Sequence, residues 1–161
     1  MKILGIDPGF TVTGFAIMKK ENGKIFLLDY GALKMSQTKT LAEKIEIFFD
    51  YFCEKIKTFE ITDIALETPF LGKNAQNFLK LGYLRGILYL LAQKNNLKIH
   101  EYAPREVKMS VTGYGAADKE QVARVVTRLF LNIKTDKLDI TDALAVTLCA
   151  LWKTQNNQLL K

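Results

Sequence analysis

Residues 2–34 run KILGIDPGFTVTGFAIMKKENGKIFLLDYGALK, and the way this stretch breaks decides the fold. Lys2 to Ile6 is a short apolar strand that ends in Asp7-Pro8-Gly9, a turn signal. Gly14 to Met18 gives a second strand. Lys24 to Leu33 gives a third, with Ile25, Leu27 and Leu28 as its apolar content. The Glu21-Asn22-Gly23 turn between the second and third suits a tight hairpin. Two or three antiparallel strands therefore open the chain.

Downstream the period changes. Leu41, Ile45, Phe48, Phe49, Phe52, Ile56 and Phe59 recur at helical spacing, and Thr40 with Glu43 forms a capping box before them. Ile61 to Leu66 is a strand that runs into Glu67, Asn74 to Lys94 a long helix, and Leu97 to Tyr102 a fifth strand. Pro104 suits a first helical position. Thr112-Gly113-Tyr114-Gly115 is a glycine-rich break, and Asp118 to Phe130 and Asp139 to Trp152 are the last two helices. The order β-β-β-α-β-α-β-α-α predicts an α/β domain, a mixed five-stranded sheet flanked by helices. With no repeat, low-complexity tract or linker, residues 1–161 are expected to form a single domain.

A chain of 161 residues can bury roughly 70% of its unfolded surface, enough for a core without staples. Hydrophobic residues at 48% and charged residues at 25% exclude a disordered or fibrous chain. The longest apolar run, Ile87 to Ala92, is far short of the roughly 20 residues of a membrane span. No secretory signal opens the sequence, and Cys53 and Cys149 are too few and too distant for a disulfide scaffold or thiolate metal site. A cytoplasmic location is expected. The net charge of +6 and pI near 9.2 point to an anionic partner, nucleic acid foremost.

Four carboxylates carry the chemistry. Asp7 stands at the end of the first strand and Glu67 at the end of the fourth. Asp139 and Asp142, three apart, share one face at the start of the last helix. If strands one and four are neighbours and the last helix packs across their ends, all four converge. Two like charges at 4 Å repel by about 4 kcal/mol at an effective dielectric of 20, so protons or cations must compensate. Oxygen ligands with no His or Cys beside them select Mg²⁺, with Mn²⁺ as a substitute. Two such ions per site form the two-metal arrangement for phosphoryl transfer. Each acid also has a structural reading: Asp7-Pro8-Gly9 as a turn, Glu67 as a solvated strand end, Asp139 with Asp142 as a helix cap. His100, the single histidine, reads as a strand residue.

Lys73, Lys80, Arg85, Arg105, Lys108, Lys119 and Arg124 flank the acids and are candidates for DNA phosphate contacts, against a plain solvated face. Lys108 and Lys119 stand out because they bracket the glycine-rich break. Phe70 is either a base-stacking wedge or a buried loop anchor, and Tyr114, between two glycines, is a second exposed aromatic. The helix from Asn74 to Lys94 is apolar on more than one face and has Gly82 and Gly86 four apart. It is the expected seam of a homodimer, with Gly86 and Leu88 on it.

Four blocks, in order and over nearly the whole chain, resemble the RuvC family of Holliday junction resolvases. They are Ile6-Asp7-Pro8-Gly9 with Thr13-Gly14; Glu67-Thr68-Pro69-Phe70 with Lys73-Asn74-Ala75; Tyr102-Ala103-Pro104 leading to Val107-Lys108, Val111-Thr112-Gly113, Gly115 and Lys119; and Asp139-Ile140-Thr141-Asp142-Ala143-Leu144-Ala145. The resemblance implies an RNase H-like fold, a homodimer and Mg²⁺-dependent nicking of four-way DNA junctions. It implies metal binding by Asp7, Glu67, Asp139 and Asp142, basic residues near the site at Lys108 and Lys119, and an aromatic base contact at Phe70. It also implies a branch-migration complex of the RuvA and RuvB type, a junction-binding tetramer with a ring ATPase, as partner. Many relatives carry an arginine where this chain has Thr11, which leaves one phosphate contact unassigned. The expected activity is a crossover junction endodeoxyribonuclease of recombination and repair, leaving 5′-phosphate and 3′-hydroxyl ends. Asp7, Glu67, Asp139, Asp142, Lys108 and Lys119 form its catalytic set, and Phe70, Lys73, Lys108, Tyr114 and Lys119 its DNA contacts. The rivals are a ribonuclease on the same architecture and a non-catalytic junction binder.

Overall fold

A computed structural model describes residues 1–69, 75–130, 133, 135 and 137–159. The strands are β1 (Lys2–Asp7), β2 (Val12–Glu21), β3 (Lys24–Lys34), β4 (Asp63–Glu67) and β5 (Lys98–Tyr102). The helices are α1 (Leu41–Phe59), α2 (Ala75–Lys94), α3 (Pro104–Thr112), α4 (Lys119–Leu129) and α5 (Leu138–Leu159). One sheet contains all five strands in the order β3-β2-β1-β4-β5. The β1–β2 and β2–β3 pairs are antiparallel, and the β1–β4 and β4–β5 pairs parallel, so the expected mixed sheet is found. Asn22 and Gly23 both adopt positive φ, as a tight hairpin turn requires. The capping box at Thr40 and Glu43 is formed.

Side chains alternate across the sheet and divide the core in two. Leu4, Ile6, Ile64 and Leu66 face α1 and α2, packing on Phe48, Phe52, Leu84 and Leu88. Ile3 and Ala65 face the other way, into the layer that contains α3, α4 and α5. Two glycines let α5 lie directly on this second face. A Cβ at Gly5 would stand 1.9 Å from Thr147 Oγ1 and 2.8 Å from the Ala143 carbonyl. One at Gly14 would stand 1.9 Å from the Asp139 carbonyl.

Three expectations need correction. The helix order counts two helices after the fifth strand where the described residues form three; α3 is the extra one. It is only nine residues long and starts after Ala103, which has no side-chain oxygen to cap it. Glu106 instead accepts the Ala103 N–H at 2.8 Å, with Pro104 in the first turn. Leu88 is wholly buried in the chain's own core, so it is no part of an outer seam. Arg85 is also buried rather than free for DNA.

Candidate active site

Alternation along β1 puts Asp7 on the same face as Ile3 and Gly5, and along β4 puts Glu67 with Ala65. β1 and β4 are parallel neighbours paired through Ile6 and Leu66, so the two acids follow side by side at the carboxyl ends of their strands. α5 begins at Leu138, directly over Gly14, which places Asp139 and Asp142 in its first turns above the same end. Asp139 thus lies inside the helix, past the capping position, so the cap reading fails and its charge favours the helix start from within.

The four carboxylates feel one another. Burial, then the charges of Asp142 and Glu67, push the Asp7 carboxyl from 3.8 up to about 7; Lys119 opposes and Asp139 adds to the rise. Burial and Asp142 likewise raise Glu67, against Lys119 and Lys108. Lys119 Nζ donates to Asp142 Oδ2 at 2.7 Å, and this bond, with the nearby acids, raises the lysine's own pKa. The ammonium supplies part of the positive charge that the cluster requires. Among the described residues no three His, Cys, Asp or Glu side chains stand close enough to hold one metal ion as they are. The donor set nonetheless fits a hard divalent cation: oxygen ligands only, mutually repelling, with one carboxyl driven toward neutrality.

Supporting groups fix the acids. Thr13, fully buried, accepts the Gly9 N–H at 3.0 Å and donates to the Gly9 carbonyl at 2.9 Å, closing the loop after Asp7. Arg85 reaches from α2 to donate from Nη1 to the Glu67 carbonyl at 2.7 Å and from Nη2 to Glu101. Arg85 is therefore a positioning residue for Glu67, and sequence reasoning missed that role. The available signal is a guanidinium beside Leu84 on the helix face that packs into the core.

The remaining candidates fall in different places. Lys108 lies on α3 within electrostatic reach of Glu67. Tyr114 is 61% exposed. Arg105 packs its side chain against Gly115. Thr11 shares a cleft of about 220 Å³ with Phe10, Asn77 and Lys80, so a lysine stands near the position without an arginine. Phe70 and Lys73 lie outside the described residues. His100 is a strand residue on β5, with Nε2 at 2.7 Å from Asp63 Oδ1.

Residues 3–150 match the family described as crossover junction endodeoxyribonuclease RuvC. The chain belongs to the RuvC family. It is 41% identical over 157 residues to the RuvC of Chlorobium phaeobacteroides, covering 97% of this chain and 84% of that one. It is 43% identical over 156 residues to the RuvC of Chloroherpeton thalassium, covering 96% and 83%. Among solved structures, Thermus thermophilus RuvC in complex with a Holliday junction substrate superposes with a TM-score of 0.90. That match has 25% identity and covers 98% of this chain and 96% of that one. The fold is therefore RuvC-type and RNase H-like. No helix among the described residues is long and apolar enough to cross a membrane.

Proposed function

We propose that this chain is a crossover junction endodeoxyribonuclease that resolves Holliday junctions by paired, symmetric nicks in recombination and repair. The observation that carries the reading is the convergence of Asp7 with Glu67, Asp139 and Asp142, whose charges add to burial in raising the Asp7 carboxyl to about 7. Lys119 compensates such a cluster only in part, and a divalent cation supplies the rest.

Asp7, Glu67, Asp139 and Asp142 would hold the divalent ions, two Mg²⁺ per site with Mn²⁺ as a substitute. Bound there, the ions would supply charge compensation for the phosphodiester and a more acidic water. The chain's own groups do the rest. Lys119 orients Asp142 and, with Lys108, provides positive charge toward the scissile phosphate. Arg85 and Thr13 hold Glu67 and the Asp7 loop in place. Water adds to phosphorus as the bond to the 3′-oxygen breaks. The 3′-oxygen leaves as a hydroxyl and the phosphate stays on the 5′ side. Phe70, Lys73 and Tyr114 complete the DNA contacts.

The single nuclease domain spans residues 1–161 and acts in the cytoplasm as a homodimer. Two nicks of like polarity need two sites related by a two-fold axis. The seam falls on the outer stripe of α2: Leu79 (59% exposed), Tyr83 and Leu90, with nothing within 4 Å of a Cβ at Gly82 or Gly86. A branch-migration complex of the RuvA and RuvB type is the partner that delivers junctions. The test is cleavage of a synthetic four-way junction with and without Mg²⁺, beside an RNA–DNA hybrid duplex. Cutting of the junction only with Mg²⁺ is expected. Preference for the hybrid, or junction binding with no Mg²⁺-dependent cutting, would overturn the reading.

A further inference from the structure

α4 presents different chemistry on its two sides. Lys119, in its first turn, is bonded to Asp142 in the acid cluster, while Val122 and Val126 pack into the core. Away from the core, Gln121, Arg124 and Arg128 recur at i, i+3 and i+7, one continuous stripe. They do not point into open solvent alone. Together with Thr112, Tyr114 and Val125 they line a concave groove of about 340 Å³ between α4 and the end of α3.

Three features of this groove indicate a ligand. None of its lining residues is acidic, and among the described residues neither arginine has a carboxylate partner. By contrast Lys119, Lys153 and Arg85 are all paired. Tyr114 is the most exposed of the large apolar side chains in the described residues, at 61%, yet its backbone is firmly held. Its N–H donates to Thr112 Oγ1 at 3.1 Å, its carbonyl accepts from Ala117 N–H at 3.1 Å, and Gly113 before it takes a left-handed φ of 75°. Thr112 Oγ1 in turn donates to the Lys108 carbonyl at 2.8 Å. An aromatic ring held out on a hydrogen-bonded loop, beside two guanidiniums that have no carboxylate partner among the described residues, is pre-organised for contact. Finally, the groove lies on the helix that reaches the acids. Arg124 and Arg128 are five and nine residues beyond Lys119, about 7.5 and 13.5 Å along the axis.

We propose that this groove is a second DNA subsite, distinct from the carboxylate centre, which takes the phosphodiester backbone of one junction arm. Arg124 and Arg128 fork two phosphates, and Tyr114 packs flat against the nucleotide between them and the acids. With about 3.4 Å of rise per nucleotide, those phosphates are about two to four nucleotides from the one being cut. Gln121 adds a polar contact through its side-chain amide N–H, without sequence information. The subsite sets the arm's direction relative to the cut. The proposal rests on the junction-nuclease reading and extends it.

The test is binding of a synthetic four-way junction in chelator, across a range of salt concentrations. Arg124→Ala/Arg128→Ala is expected to lower the slope of log affinity against log salt by about 1.8, two phosphate contacts' worth. It is also expected to weaken binding about tenfold or more at moderate salt. Arg124→Lys/Arg128→Lys should keep the slope and lose part of the affinity, because charge remains and the fork is gone. A control pair of exposed lysines in the last turns of α1 and α2, Lys57→Ala/Lys94→Ala, should match the wild type. Thermal melting should be the same throughout, since among the described residues the arginines have no carboxylate partner to lose. An unchanged slope and affinity in the double alanine variant, with a wild type that cuts junctions, overturns the subsite and leaves the nuclease reading intact. A lowered slope in a protein that never cuts overturns the nuclease reading and leaves the groove as a DNA site.

Discussion

Asp63 and Glu67 stand at the two ends of one five-residue strand, on the same face of the sheet and about 13 Å apart. Their carboxylates are treated oppositely. At Asp63, burial acts to raise the pKa. Hydrogen bonds from His100 at 2.7 Å and Thr62 at 2.5 Å outweigh it and hold the group below its ordinary value. At Glu67, burial and Asp142 raise the pKa, and the lysines nearby do not cancel them. One acid is satisfied by its neighbours and the other is left in need of a counter-charge. Burial alone does not separate a functional carboxylate from a structural one; the sign of what surrounds it does.

The largest expected effect is on chemistry. Glu67→Gln should lower the single-turnover cutting rate of a four-way junction by about 1,000-fold or more, over 4 kcal/mol of barrier, with junction affinity kept. A variant that retains a tenth of the wild-type rate removes Glu67 from the catalytic set. Next is the response of stability to pH in chelator. The unfolded Asp7 ionises near 3.8 and the folded one near 7, so the folded state binds the extra proton between them. Its contribution is full below 3.8 and lost as pH rises through about 7, worth up to about 4 kcal/mol at 1.36 kcal/mol per pH unit. Asp63 has the reverse sign: its contribution is present above the ordinary Asp value and is lost on acidification. Urea denaturation of wild type and Asp7→Asn between pH 4 and pH 8 should therefore diverge, with the variant the more stable toward the top of the range. Parallel curves would mean that Asp7 is not electrostatically stressed. The smallest effect belongs to Asp63→Asn. It should cost roughly 1–3 kcal/mol of stability through the weakened His100 and Thr62 bonds while each folded molecule still cuts at the wild-type rate. A loss of cutting equal to that of Glu67→Gln would erase the distinction between the two ends.

The features legible in the sequence were those with local causes. The Asn22-Gly23 hairpin, the Thr40 and Glu43 box, and alternation along β1 and β4 each depend on neighbours a few residues away. Convergence of the four acids required that β1 and β4 be adjacent, which parallel pairing through Ile6 and Leu66 supplies, and that α5 cross their ends, which its contact at Gly14 supplies. What stayed hidden depends on crossings between distant elements. α2 is apolar on more than one face, so its sequence does not say that Leu88 faces the sheet while Leu79 faces outward; the packing of α2 on α1 and the sheet decides it. Arg85 reads as a surface cation until α2 crosses the end of β4 and the guanidinium meets the Glu67 carbonyl. Asp139 reads as a cap because Asp is a favoured capping type and Asp142 stands three residues on, the capping-box spacing. Only the helix bound at Leu138 moves it inside the first turn.

The rest of α5 on Gly5 and Gly14 has a mechanical consequence. At Gly14 backbone meets the Asp139 backbone, with no intervening side chain whose rotamer could change the spacing, and at Gly5 the Thr147 hydroxyl and the Ala143 carbonyl close the contact. The separation between acids on the strands and acids on the helix is thus set at a stiff contact, like a part seated against a hard stop. Side-chain drift elsewhere in the two cores can loosen or tighten packing without altering that separation, which gives the nuclease a dimensional tolerance finer than the fold around it. A methyl group at either glycine removes the stop, and α5 must lift with two of the four carboxylates attached.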